Sequence, residues 1–197
     1  MRSAARPLLP ALGITAAVGV ALAARLLVAG GGTAAVASLP AAAVFAVVML
    51  GAGLAHPASH APASRVLRNV AAGVGGGTVL VLLTLLLPGL PLHVWPRPSG
   101  GDAVLWTLLV AAVGGAEELV FRGVLFDAVQ RIGGAITAAV VCAIAFALLH
   151  VPLYGWRVLP LDIGVGLWLG GLRMLSGGVT APAVAHVVAD CGAWLVL

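Results

Sequence analysis

From Leu8 to Val196 the chain is almost continuously apolar, interrupted only where glycine and proline gather. Seven apolar segments can be drawn, roughly 8–29, 34–55, 67–90, 103–126, 135–153, 158–175 and 179–196. The breaks read GGGT at 30–33, HPASHAP at 56–62, PGLPLHVWPRPSGG at 88–101, GG at 133–134 and SGG at 176–178. Each segment approaches the ~20 residues that cross a bilayer as a helix. In hydrocarbon a chain must satisfy its backbone hydrogen bonds internally, and a helix does so within one segment. The pattern predicts an all-α fold, a polytopic membrane helical bundle of about seven transmembrane helices. Glycine and proline inside the segments (Pro40, the run at 73–77, GVG at 164–166) suit membrane helices, where small residues allow close packing.

Composition agrees. Charged residues make up 8% of the 197 and hydrophobic residues 62%, against roughly 25% charged in a soluble domain. No soluble domain of useful size is left over. The net charge of +4 comes from arginine alone, since the chain has no lysine. These arginines fall mainly at segment ends, which points to bilayer orientation and not to nucleic acid. With the N-terminus in the cytoplasm, the inner ends receive Arg2, Arg6, Arg65, Arg68, Arg122, Arg131 and Arg173, and the far side Arg97 and Arg157. Arg25 lies within the first span. The expected location is therefore the cell membrane, multi-pass, N-terminus inside. Cys142 and Cys191 form no CxxC or zinc pattern and read as packing residues. The basic, apolar N-terminus is read as the first span and not as a signal peptide.

Against this background, the polar groups inside the spans stand out. The only two glutamates, Glu117 and Glu118, sit side by side in AVLWTLLVAAVGGAEELVFRGVLF, with Arg122 one turn later. An ionised group near a bilayer centre costs roughly 2.5–3.5 kcal/mol on translocon scales, so a cluster of three marks a site. On a helix, Glu118 and Arg122 face one another and Glu117 points about 100° away. Arg122 is expected to hold Glu118 and leave Glu117 available. Phe146 and His150 share a face of the next segment, and His186 and Asp190 share a face of the last. Glu117 and His150 are equidistant from the Gly133-Gly134 turn, so an antiparallel hairpin sets them at equal depth, facing each other. His186 and Asp190 lie roughly 12 and 18 Å in from the SGG turn. Unsatisfied polar groups are costly in hydrocarbon, so Glu117, Glu118, His150, His186 and Asp190 should converge on one another or on water. A wet cavity with a carboxylate and two histidines has the parts for acid–base chemistry.

EELVFRG, FALLH and HVVAD, in that order on successive membrane helices, resemble the CAAX protease and bacteriocin-processing (Abi) family, marked by EExxxR, FxxxH and HxxxN or a near variant. The stretch GVGLWLGGLRMLSGGVTAPAVAH is similar to that family's glycine-rich approach to its last histidine. The resemblance covers about 103–194. It implies N-terminal transmembrane helices over 1–101 and a catalytic helical core over 102–197. It also implies a glutamate endopeptidase acting within the membrane on a membrane-associated protein or peptide. Carried over by position, Glu117 with His150 activates water, His186 and residue 190 stabilise the oxyanion, and Glu118 and Arg122 hold the first helix of the core. Position 190 is Asp where the better-understood members carry Asn. An ionised Asp cannot donate to an oxyanion, so Asp190 is either protonated or orients His186.

No cofactor, metal or nucleic-acid partner is expected. HExxH is absent, as is a GxSx nucleophile with a matching histidine, and GGD at 100–102 has no second catalytic aspartate. Zinc held by Glu117, His150 and His186 is the alternative chemistry. Two other classes stand beside the protease. One is a non-catalytic membrane immunity or partner-binding protein that retains the fold. The other is a small transporter relaying protons through the same acids and histidines.

Overall fold

A computed structural model describes residues 5–56, 62–86 and 103–196. The breaks at 56–62 and 88–101, the boundary at 101/102, GGD and the arginines at 2 and 97 therefore lie wholly or largely outside the described residues. Among those described, every regular element is helical. They are α1 (Ala5–Ala29), α2 (Gly32–Ala37), α3 (Leu39–Leu54), α4 (Val66–Leu86), α5 (Ala103–Glu118), α6 (Phe126–Tyr154), α7 (Leu159–Ser176) and α8 (Thr180–Val196). A π-helical turn, Leu119–Leu125, joins α5 to α6. Among the described residues, four stretches are long and apolar enough to cross a membrane: Ala11–Ala29, Ala63–Leu86, Val104–Tyr154 and Trp156–Ser176. The expected all-α membrane bundle is what forms.

Two local features depart from simple spans. The segment drawn at 34–55 is two helices, because the chain is extended at Ser38 (φ −86°, ψ 108°). Pro40 has no N–H to continue α2, and the Ser38 hydroxyl caps α3 by accepting from Ala41 N at 3.3 Å. The apolar stretch Val104–Tyr154 is 51 residues long, more than twice a span. It reverses on itself. Phe121 and Phe146 would lie roughly 37 Å apart along a straight helix, yet their rings meet edge to face with centroids 5.9 Å apart. Midway between them, Gly134 takes φ 81° and ψ 174°, a conformation that only glycine adopts readily. The predicted hairpin at Gly133-Gly134 is present.

Glycines set the distances between helices. On α4, Gly73 and Gly77 lie one turn apart, and a Cβ on either would sit 2.6 Å from the backbone oxygen of Ala181 or Ala185 on α8. On α7, a Cβ at Gly166 would come within 2.8 Å of the Ala143 Cα on α6. Such contacts leave no room for a side chain, so α4 lies directly on α8 and α7 on α6. The N-terminal helices also pack on the C-terminal ones, α3 against α5 and α1 against α6. Large apolar residues such as Leu27, Leu67, Leu105, Ile136 and Leu175 face outward, as a lipid-facing surface requires. Cys142 is buried, Cys191 half-buried, and both thiols are free.

Candidate active site

The site is built on the end of α5 and the π-helical turn that follows it. At that turn the Phe126 amide reaches back to Phe121 O, five residues away, and passes over Arg122 O, its ordinary helical acceptor. Arg173 on α7 takes up the carbonyl, donating from Nε to Arg122 O at 2.8 Å. Its Nη2 pairs with Asp127 at 2.7 Å. A π-helical turn is unusual, and such turns are found frequently at functional sites. Here a charged side chain from another helix satisfies the backbone group that it frees.

Arg122 is fully buried and held on three sides. Nη1 donates to Glu118 Oε1 at 2.7 Å and Nη2 to Gly166 O at 3.1 Å. Its guanidinium lies over the Phe146 ring, 4.7 Å from the centroid. The expected Glu118–Arg122 pair is therefore formed, but Glu118 does more than anchor Arg122. Its Oε1 also accepts from His186 Nδ1 at 3.0 Å. A carboxylate oxygen paired with arginine can only accept, so Nδ1 carries a proton and Nε2 is turned to the other side of the ring. There Nε2 meets Asp190 Oδ2 at 3.6 Å and Glu117 Oε2 at 3.9 Å. A bare nitrogen beside two carboxylates would be repelled, so this triangle holds a further proton on Nε2 or on a carboxyl.

Phe146 links the two histidines. Its ring lies 5.5 Å from that of His186, edge on, and 4.6 Å from that of His150. His150 Nδ1 is 2.9 Å from Phe146 O, an obligate acceptor. Nδ1 is thus the protonated nitrogen and Nε2 bears the lone pair. The i, i+4 spacing has a second purpose here beyond sharing a face, since the residue that stacks on the ring also fixes its tautomer.

All six residues singled out in the sequence thus fall in one region. Glu117, Glu118, Arg122, His186 and Asp190 form a chain of ionic contacts, and His150 joins them through the Phe146 ring. Glu117 is buried against His186, while Asp190, with 27% of its side chain accessible, is the most open member. The sequence reading passed over several others. Asp162, buried in the first turn of α7, lies 3.6 Å from His150 Nδ1. Arg25 on α1 sits over the Phe45 ring and donates to Ala35 O, and is close enough to Glu117 to act on its charge. Tyr154 stacks on His150. Through Arg25 the first apolar segment also reaches the site. Each of these was visible as a polar residue in or beside an apolar run, the same signal that exposed Glu117.

Among the described residues, no group of three or more His, Cys, Asp or Glu side chains is arranged to hold a metal ion. No curated protein and no solved structure matches the chain. A family model does match: that of the type II CAAX prenyl endopeptidase Rce1-like proteins, over residues 99–192. The matched stretch contains the two glutamates, Arg122, both histidines, Asp190 and the π-helical turn that sets them. Residues 99–192, a little under half of the chain, therefore match the Rce1-like family, in a chain whose apolar helices are those of a membrane protein.

Proposed function

We propose that this protein is an intramembrane endopeptidase that hydrolyses a peptide bond of a membrane-associated protein or peptide, using water activated by Glu117 and His150. The observation that carries the proposal is the division of labour between adjacent glutamates. Glu118 is occupied by Arg122 and His186, whereas Glu117 lies buried beside His186 Nε2 with no arginine bonded to it.

In this mechanism Glu117 takes one proton from water as its oxygen attacks the scissile carbonyl carbon, and His150 Nε2 accepts a hydrogen bond from the same water and takes its second proton as the product carboxylate forms. The carbonyl electron pair moves onto oxygen, and His186, protonated at Nε2, donates to the oxyanion. Donors of this kind typically contribute 10²–10³-fold. Collapse restores the C=O bond and breaks the C–N bond, and the proton taken by Glu117 passes to the leaving amine. Glu118 holds His186 by Nδ1, so the donor is aimed before substrate arrives. Asp190 then acts as a protonated carboxyl at the open edge of the site. No step requires a metal.

The same reading places the chain across the cell membrane several times, with the N-terminus in the cytoplasm. Glu118 and Asp127 draw Arg122 and Arg173 into the core, so neither bears on orientation. Arg2, Arg6, Arg65, Arg68 and Arg131 still outweigh Arg97 and Arg157 on the inner side. The substrate classes are leader peptides, membrane-protein tails and prenylated C-terminal peptides, of which a bacterial chain would favour the first two.

The test is substrate trapping. Tagged Glu117→Gln protein is purified from membranes, the co-purifying peptides are identified, and synthetic copies are offered to both forms in nanodiscs. Wild type should cleave at least one of them, and Glu117→Gln should be slower by about 10²–10⁴-fold, the usual cost of a positioned base. Undiminished cleavage by Glu117→Gln would sink the mechanism.

A further inference from the structure

His186 is hydrogen-bonded at Nδ1 to a carboxylate from another helix at 3.0 Å, and the second histidine also has a carboxylate from another helix beside its Nδ1, 3.6 Å away and beyond hydrogen-bond distance. Asp162 belongs to none of the three motifs. It sits in the first turn of α7, where an acid ordinarily interacts with the helix terminus, and its side chain is buried. Its Oδ2 lies 3.6 Å from His150 Nδ1. The short connection Gly155–Val158 brings α7 back along α6, and Gly166 and Gly170 press α7 against Ala143 and Ala139. Asp162 is thereby held beside His150 by backbone packing. It is also close enough to Glu117, His186 and Asp190 for their charges to act on it, so it belongs to the same polar group.

We propose that Asp162 is a positioning residue for His150, the countercharge that stabilises its imidazolium when Nε2 takes a proton. The Nδ1–H is already directed by Phe146 O at 2.9 Å, but that acceptor is neutral. Only the carboxylate supplies the charge that a protonated ring needs in a medium of low dielectric. Each histidine of the site then has one carboxylate on its Nδ1 side, Glu118 from α5 for His186 and Asp162 from α7 for His150. This inference rests on the peptidase reading for its kinetic arm but not for its spectroscopic one.

The experiment compares wild type, Asp162→Asn and Asp162→Glu as full chains in nanodiscs, with imidazole-¹⁵N histidine. The His150 signals are assigned by His150→Gln. In wild type the Nδ1–H proton of His150, bonded to Phe146 O with the Asp162 carboxylate 3.6 Å away, should resonate downfield of a free imidazole. In Asp162→Asn it should move upfield, and in Asp162→Glu it should return part of the way. On a trapped peptide, kcat of Asp162→Asn should fall at least tenfold with KM little changed. The loss should be smaller than the roughly 10⁴-fold seen when such a change imposes the wrong tautomer, since Phe146 O still holds Nδ1–H. An unmoved His150 proton resonance in Asp162→Asn overturns the proposal, as does an unchanged kcat in active protein. A wild type that cleaves nothing defeats the peptidase reading alone, and the resonance then decides on Asp162.

Discussion

Replacing Glu118 by alanine removes the oxygen that accepts from Arg122 Nη1 at 2.7 Å and from His186 Nδ1 at 3.0 Å. Arg122 is fully buried, so its guanidinium would be left with Gly166 O and the Phe146 face but no anion. Breaking a buried ion pair from one side typically costs about 3–5 kcal/mol, a large part of the ~5–15 kcal/mol by which domains are stable. Glu118→Gln keeps the shape and one accepting oxygen but loses the charge. Its two bonds stay assisted by the charges on their donors, so the loss is the ion attraction alone and falls below the cost of Glu118→Ala. Glu117, bonded to no arginine, should behave differently, and Glu117→Gln or Glu117→Ala should unfold near the wild-type midpoint. The measurement is thermal unfolding of purified protein in one detergent, followed by aggregation-coupled fluorescence, with peptide cleavage on the same samples. The expected stability order is Glu117→Gln close to wild type, then Glu118→Gln, then Glu118→Ala. Glu117→Gln should be the least active of the well-folded forms. Equal destabilisation by Glu117→Gln and Glu118→Gln, or wild-type stability in Glu118→Ala, would refute the assignment of Arg122 and His186 to Glu118.

Asp190→Asn should retain or raise activity at neutral pH, because Glu118 already orients His186 and an amide donates at every pH. A carboxyl donates only while protonated, so the wild-type rate should decline with rising pH where the Asn variant holds level. Impaired turnover in Asp190→Asn would assign Asp190 to holding His186, and identical profiles would deny it either role. A strong chelator should leave cleavage by metal-analysed protein unchanged, whereas stoichiometric zinc that restores lost activity would move the chemistry to Glu117, His150 and His186 as ligands. Arg173→Met should lose about 3–5 kcal/mol, since it breaks the buried ion pair with Asp127 from one side and withdraws the donor from Arg122 O. Asp127→Asn should be milder, and a Met variant as stable as wild type would mean that the π-helical turn holds itself.

The sequence alone settled whatever depends on helical spacing and on the cost of polar groups in hydrocarbon. Residues four apart share a face whatever surrounds the helix, so Glu118–Arg122, Phe146–His150 and His186–Asp190 could be paired from their numbers. A glycine pair between two long apolar runs marks a reversal, because only glycine accepts the φ that Gly134 adopts. Polar residues stranded in apolar runs had to find one another, so the existence of a single site was legible too. Which atom meets which across helices was not. Glu117 and Glu118 differ by about 100° of rotation, and only the docking of α8 on α5 decides which of them receives His186 Nδ1. The π-helical turn has no local signature, since its hydrogen bonding is poorer than that of an α-helix over the same residues. It persists because Arg173, from 51 positions further along the chain, satisfies the carbonyl it frees. Arg25 and Asp162 entered the polar group for the same reason. Backbones brought together at Gly166 and Gly170 set the lateral position of α7 to within a methyl group, and an ionic contact between helices depends on lateral positions that no single helix's sequence contains.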